Sequence, residues 1–127
     1  MFKVSSPQDM NQTFARAFNS RDINNLLELY EESAILRIDS EESYVGKGVI
    51  EIELQKLLSL PGEMISLNNF CIEFEDIALL RADHSIVNQE GETIFSGSSA
   101  EVVRRQSDNS WLYIIDHAMG ATLSRRE

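Results

Sequence analysis

A Pro61-Gly62 pair divides the chain into two unlike halves. Proline cannot continue a helix and glycine favours a reversal, so the pair is a hard boundary. Upstream, apolar residues recur at three- and four-residue intervals. Met10, Phe14, Ala17 and Phe18 share one face, Ile23, Leu26, Leu27 and Tyr30 a second, and Ile50, Leu54, Leu57 and Leu58 a third. That spacing predicts three helices. Ser6-Pro7-Gln8-Asp9 supplies a start for the first, with Ser6 as cap and Asp9 closing a capping box. Asn19-Ser20-Arg21-Asp22 separates the first two, and Asp22 or Ser20 caps the second. Residues 34–38 read as a strand, and Tyr44-Val45-Gly46 as a short return strand.

Downstream of the boundary the pattern is strand and turn. Residues 64–75 place Phe70, Ile72 and Phe74 on one side and Asn69, Cys71, Glu73 and Glu75 on the other. Runs at 77–87, 93–106 and 111–118 follow, divided by turns at Asn88-Gln89-Glu90-Gly91 and Ser107-Asp108-Asn109-Ser110. Helices first and a strand meander last predict an α+β domain over residues 1–127. Its mainly antiparallel sheet packs against three N-terminal helices.

The last run is apolar on both faces. Simple alternation puts Trp111, Tyr113, Ile115 and His117 on one side, and Leu112, Ile114 and Asp116 on the other. A sheet covered on one side only should be polar on the other. The second apolar face therefore needs cover, and the expectation is a homodimer through the outer face of the sheet.

Charge narrows the partners. A net charge of −10, from 21 acidic and 11 basic residues, repels phosphate backbones and anionic lipid, so neither nucleic acid nor membrane is expected as a partner. The basic pairs Arg104-Arg105 and Arg125-Arg126 read as ordinary solvated charges. A single cysteine, Cys71, excludes a disulfide-built scaffold and reads as a buried, inert thiol. Residues 1–7 lack the apolar length of a signal peptide and no later stretch approaches a membrane span, so a cytoplasmic protein is expected.

The order helix, helix, strand, helix and four long strands resembles the nuclear transport factor two-like superfamily. That superfamily includes SnoaL-like polyketide cyclases, ketosteroid isomerase, scytalone dehydratase and the calmodulin-dependent kinase association domain. Phe14-Ala15-Arg16-Ala17-Phe18-Asn19-Ser20-Arg21-Asp22 followed by Leu26-Leu27-Glu28-Leu29-Tyr30 resembles its opening helices. Gly46-Lys47-Gly48-Val49-Ile50 resembles the start of its third helix. Arg104-Arg105-Gln106-Ser107-Asp108-Asn109-Ser110-Trp111 with Asp116-His117 resembles its final hairpin, Asn109 standing where glycine is usual. The resemblance implies a cone-shaped sheet, a cystatin-like roll, closed by helices around one pocket. Members use that pocket for unrelated purposes, so the fold alone names no activity.

Candidate residues follow from placing side chains in such a pocket. The resemblance implies an acid–base role for an acidic residue on a late strand, and Asp116 fits it. A carboxylate walled by apolar residues has a raised pKa, which suits proton abstraction beside a carbonyl. His84, on a face with Ala78, Leu80, Ala82 and Ile86, is a second proton carrier. Glu101 shares its face with Ser99 and Val103 and is a candidate ligand-binding group. Tyr30 and Tyr44 would rim the pocket and donate to a ligand carbonyl. Trp111 reads as packing. No metal site is expected: there are two histidines, no Cys pair and no His-Glu-x-x-His spacing. No phosphate loop or nucleophile elbow is present, and acid–base chemistry of this kind needs no cofactor. The sequence thus predicts a small-molecule pocket with isomerase-, cyclase- or dehydratase-like proton transfer, or else a non-catalytic ligand-binding or dimeric assembly module.

Overall fold

The structure, a computed structural model, describes residues 2–39 and 41–122. The Arg125-Arg126 pair lies outside them. A single 3-10 turn, Pro7–Asp9, runs into α1 (Met10–Asn19). The expected capping box does not form. Ser6 holds the turn through its backbone carbonyl, which accepts from the Asp9 N–H at 3.0 Å, and no side-chain cap bond is made. Asp22 caps α2 (Ile23–Leu27) as expected, its Oδ1 accepting from the Asn24 N–H at 3.0 Å.

That second helix ends before Tyr30, which instead opens β1 (Tyr30–Arg37). A helix of one or two turns gains little from one more turn. As a strand residue Tyr30 pairs with Tyr113 and is fully buried, while the Tyr113 N–H bonds the Leu29 carbonyl at 2.8 Å. β2 (Tyr44–Val45) returns beside β1, and α3 (Lys47–Leu58) follows. Gly62, just past the boundary, has φ +118°, and a Cβ there would lie 2.5 Å from the Val87 carbonyl oxygen. Only glycine lets the chain pass so close.

The second half supplies β3 (Glu63–Phe74), β4 (Ile77–Val87), β5 (Thr93–Ser98), β6 (Ala100–Arg105) and β7 (Trp111–His117). The run predicted over 93–106 is therefore two strands, interrupted at Ser99. The Ser99 N–H donates to the Ala82 carbonyl at 2.8 Å, and its Oγ accepts from the Ala82 N–H at 3.2 Å. Both pieces stay beside β4, so the interruption kinks one ribbon. Among the described residues the sheet runs β2-β1-β7-β6-β4-β3, with β5 against the far half of β4. Only the β1–β7 pairing is parallel. The result is α+β: three helices packed on one face of a mainly antiparallel, unclosed sheet that bulges curl around them.

Two bulges decide which side chains face inward. In β7, Val103 pairs with Tyr113 but Val102 pairs with Ile115, so Ile114 is an extra residue. One extra residue inverts the alternation beyond it. Trp111 and Tyr113 therefore share the inner face with Asp116, whereas Ile115 and His117 point outward. This corrects the simple alternation, which grouped Asp116 with Leu112 and Ile114. A second irregularity between Asn68 and Phe70 does the same in β3. Met64 and Ser66 face in, while Phe70, Ile72 and Phe74 face out. Cys71, expected to be buried, is half-buried against the core. Asn109 takes the left-handed φ of +68° that the last turn requires.

Candidate functional site

The space between the helices and the inner sheet face is not filled. A cavity of about 70 Å³ remains, walled mainly by apolar and aromatic side chains. Each water needs roughly 10–15 Å³ by the same measure, so there is room for several waters or a small organic molecule.

At its wall sit two carboxyls from neighbouring strands. Glu101 on β6 and Asp116 on β7 are direct cross-strand partners, 4% and 7% exposed. Cross-strand partners point the same way, so the pair shares one apolar wall. Burial pushes both upward. Glu101 rises to about 8, chiefly by loss of water and then by the nearby Asp116 charge, against the opposing hydrogen bonds of Ser99 and Asn11. Asp116 rises to about 6 by burial, restrained by its bond from Tyr30. Two charges in one dry wall are costly, so the two carboxyls titrate jointly and both are held above their ordinary range.

A hydrogen-bond network fixes the carboxyls. The Tyr30 hydroxyl donates to Asp116 Oδ2 at 2.5 Å. Asn11 Nδ2 donates to Glu101 Oε1 at 3.1 Å and to Asn68 Oδ1 at 3.0 Å, and Asn11 Oδ1 accepts from the Tyr113 hydroxyl at 2.7 Å. Burial, with the neighbouring carboxyls, holds both phenols well above their ordinary pKa, so they stay protonated. The two rings pack at 5.0 Å between centroids, and Phe14 meets Tyr113 edge-on at 6.1 Å.

His84 also lines the cavity. Its Nε2 lies 2.7 Å from the Ala118 carbonyl and its ring stacks on Phe95 at 5.5 Å. A carbonyl only accepts, so Nε2 carries a proton. Tyr44 does not join the wall; its hydroxyl donates to Glu42 at 3.2 Å. His117 faces out beside Arg37, and burial together with that charge lowers its pKa. The structure thus brings Asp116, Glu101, His84 and Tyr30 to one cavity and leaves Tyr44 outside it.

Three lining residues escape the sequence reading: Asn11, Ser66 and Glu53, all buried. Two carried a signal. Asn11 precedes Phe14 by three residues, and Glu53 falls between Ile50 and Leu57 on the apolar stripe of α3. A polar residue on an apolar stripe points toward buried chemistry. Ser66 carried none, because the strand on which it sits reads as polar-alternating throughout. Among the described residues no group of three or more His, Cys, Asp or Glu is placed to hold a metal ion, and no helix is long and apolar enough to cross a membrane.

No protein-family model matches the sequence, and no curated protein matches it either. Solved structures do. A proposed calcium/calmodulin-dependent protein kinase type II association domain from Thiobacillus denitrificans superposes with a TM-score of 0.75 at 13% identity, covering 90% of this chain and 94% of that one. A proposed dehydratase of the NTF2-like family from Streptomyces avermitilis gives 0.67 at 14% identity, covering 85% and 88%. A cystatin-like protein of unknown function from Nostoc punctiforme gives 0.71 at 18% identity, covering 86% and 84%. The fold is that of the nuclear transport factor two-like proteins, and at these identities the likeness speaks to fold alone.

Proposed function

We propose that the cavity is a small-molecule site in which Asp116 and Glu101 act as base and acid in an isomerase-, cyclase- or dehydratase-like proton transfer. The observation that carries this reading is the buried cross-strand carboxyl pair on the wall of a cavity lined mainly by apolar and aromatic side chains. Tyr30 donates to Asp116, which favours the charge there, and the shared proton rests on Glu101. Asp116 then removes a proton from a carbon beside a carbonyl while Glu101 protonates the oxygen. Reversing both transfers at another position returns the pair to its starting state. Tyr30 serves to hold Asp116, because its hydroxyl proton is already committed. His84, on the same wall, is the second proton carrier. The reading needs no cofactor, and it places the protein in the cytoplasm, with neither nucleic acid nor membrane as a partner, on the support of its acidic charge and lone cysteine.

The test is deuterium exchange. Small ketones and enones incubated with the protein in D2O should gain deuterium at the carbon beside the carbonyl, read by NMR. Asp116→Asn should reduce the rate by about 100-fold or more, with the far-ultraviolet circular dichroism and molecular size of the folded protein retained. Undiminished exchange in that variant would remove Asp116 as the base.

A second reading, a dimeric assembly or ligand-binding module without catalysis, is favoured by the outer face. Ile72, Leu79, Val102, Ile115, Ile35 and Val45 are successive partners across six strands, forming one unbroken apolar row. Ile65, Leu67, Phe70 and Phe74 widen it, each 41–68% exposed. A specific interface takes roughly 800 Å² per partner, and a row spanning six strands is an apolar surface of that kind. The occupant proposed is a second copy of this chain, since a two-fold contact would set the row against itself. The dimer is compatible with either reading of the cavity.

A further inference from the structure

The polar groups of the cavity are unevenly matched. Most donors are spent internally: the Tyr30 proton on Asp116, the Tyr113 proton on Asn11, both Asn11 amide protons on Glu101 and Asn68, and the His84 Nε2 proton on Ala118. Among the described residues no lysine or arginine lines the space. What remains is the Asp116–Glu101 pair and the Ser66 hydroxyl. Ser66 is 8% exposed, lines the cavity and makes no hydrogen bond through its side chain. It is the direct cross-strand partner of His84. Its hydroxyl is therefore open to a guest in the cavity, to which it can donate or from which it can accept.

From this geometry we infer that the ligand of the cavity is a small organic cation, an amine of a few carbons whose ammonium group meets the Asp116–Glu101 pair and whose remaining protons reach the Ser66 hydroxyl. The walls suit such a guest. Phe14, Tyr30 and Tyr113 line the space, and their apolar bodies take the guest's hydrocarbon part. A carboxylate or phosphate would meet two carboxyls with no basic side chain to offset them. The inference rests on the reading of the cavity as a small-molecule site, but not on catalysis.

Binding of a cation must also move a proton. The titratable groups around Glu101 are Asp116 and Tyr113 on β7, Tyr30 on β1, His84 on β4 and Glu53 on α3. Both phenols stay protonated, so the carboxyl pair supplies the change. An ammonium guest stabilises both carboxylates and expels the proton they share. Affinity for the amine therefore rises with pH until Glu101 is ionised without help, near its value of about 8.

Titration calorimetry with cyclopentylamine, cyclopentanol and cyclopentanecarboxylate, run from pH 6 to 9 in two buffers of different ionisation enthalpy, tests this. Expected is amine binding at least tenfold tighter than alcohol binding at pH 8, no carboxylate binding, and release of up to one proton per amine below that pH. Asp116→Asn should weaken amine binding about tenfold or more. Ser66→Ala, a mild change on an otherwise intact wall, should weaken it a few-fold with no loss of melting temperature. Carboxylate binding as tight as the amine, amine binding no tighter than the alcohol, or no amine binding at millimolar concentration would each overturn the inference. The two proposals fail separately. Amine binding without deuterium exchange on any substrate removes the catalytic reading alone, whereas exchange on neutral ketones without amine preference removes only the cationic ligand.

Discussion

At the residue scale the central question is how Asp116 is held. Its carboxyl has a single phenol to stabilise its charge inside an apolar wall. Tyr30→Phe removes that donor and leaves a buried carboxylate under-satisfied. The expected results are a further rise in the Asp116 pKa, seen in a carboxyl carbon titration, and a stability loss of about 1–3 kcal/mol in urea unfolding. Glu101 makes a second prediction, with an unusual sign. Its folded pKa is raised above the unfolded value, so its contribution to stability is fully present below the unfolded pKa and is lost as pH rises through about 8. Asp116 acts in the same direction over a lower range, through about 6. The protein should therefore lose stability between pH 5 and 9, where soluble domains are usually near their maximum. Glu101→Gln should flatten that slope, and a melting-temperature series in the two proteins reads it directly.

At the scale of elements, the breaks matter more than the regular stretches. The turn after α3 depends on Gly62, whose positive φ and 2.5 Å approach to the Val87 carbonyl leave no space for a side chain. Gly62→Ala should cost roughly 2 kcal/mol or more, since backbone must shift to admit a methyl group, and chemical denaturation measures it. The sequence made the helical faces, the β4 and β7 runs and the late turns legible, because apolar spacing and turn residues act locally. It did not make the Ile114 and Asn69 bulges legible. A bulge arises from the register between two strands, and neither strand carries it alone. The consequence reached the site: alternation grouped Asp116 with Leu112 and Ile114, while its actual neighbours are Trp111 and Tyr113. Tyr30 shows the same limit, since helical spacing claimed it and pairing with β7 took it.

At the scale of the molecule, helices close one face of the sheet and leave the other face apolar. The inner face holds a cavity whose chemistry is concentrated in Asp116, Glu101 and the groups that fix them. The outer row from Ile72 to Val45 is the proposed seat of a second copy. Leu79 and Ile115 lie adjacent to its centre, 45% and 44% exposed. Replacing both with lysine should convert a dimer to a monomer in light scattering while leaving far-ultraviolet circular dichroism intact; an unchanged mass would move the interface elsewhere. The account stands or falls, however, on the carboxyl pair. A carboxyl-carbon NMR titration of the labelled protein from pH 4 to 10 tests it most directly. The account predicts two late transitions, with one proton retained by Glu101 and Asp116 together at pH 7 and lost near pH 8. If both carboxyls titrate below pH 5, the cavity holds two ordinary carboxylates, and neither the proton transfer nor the proton-linked binding proposed for it can operate.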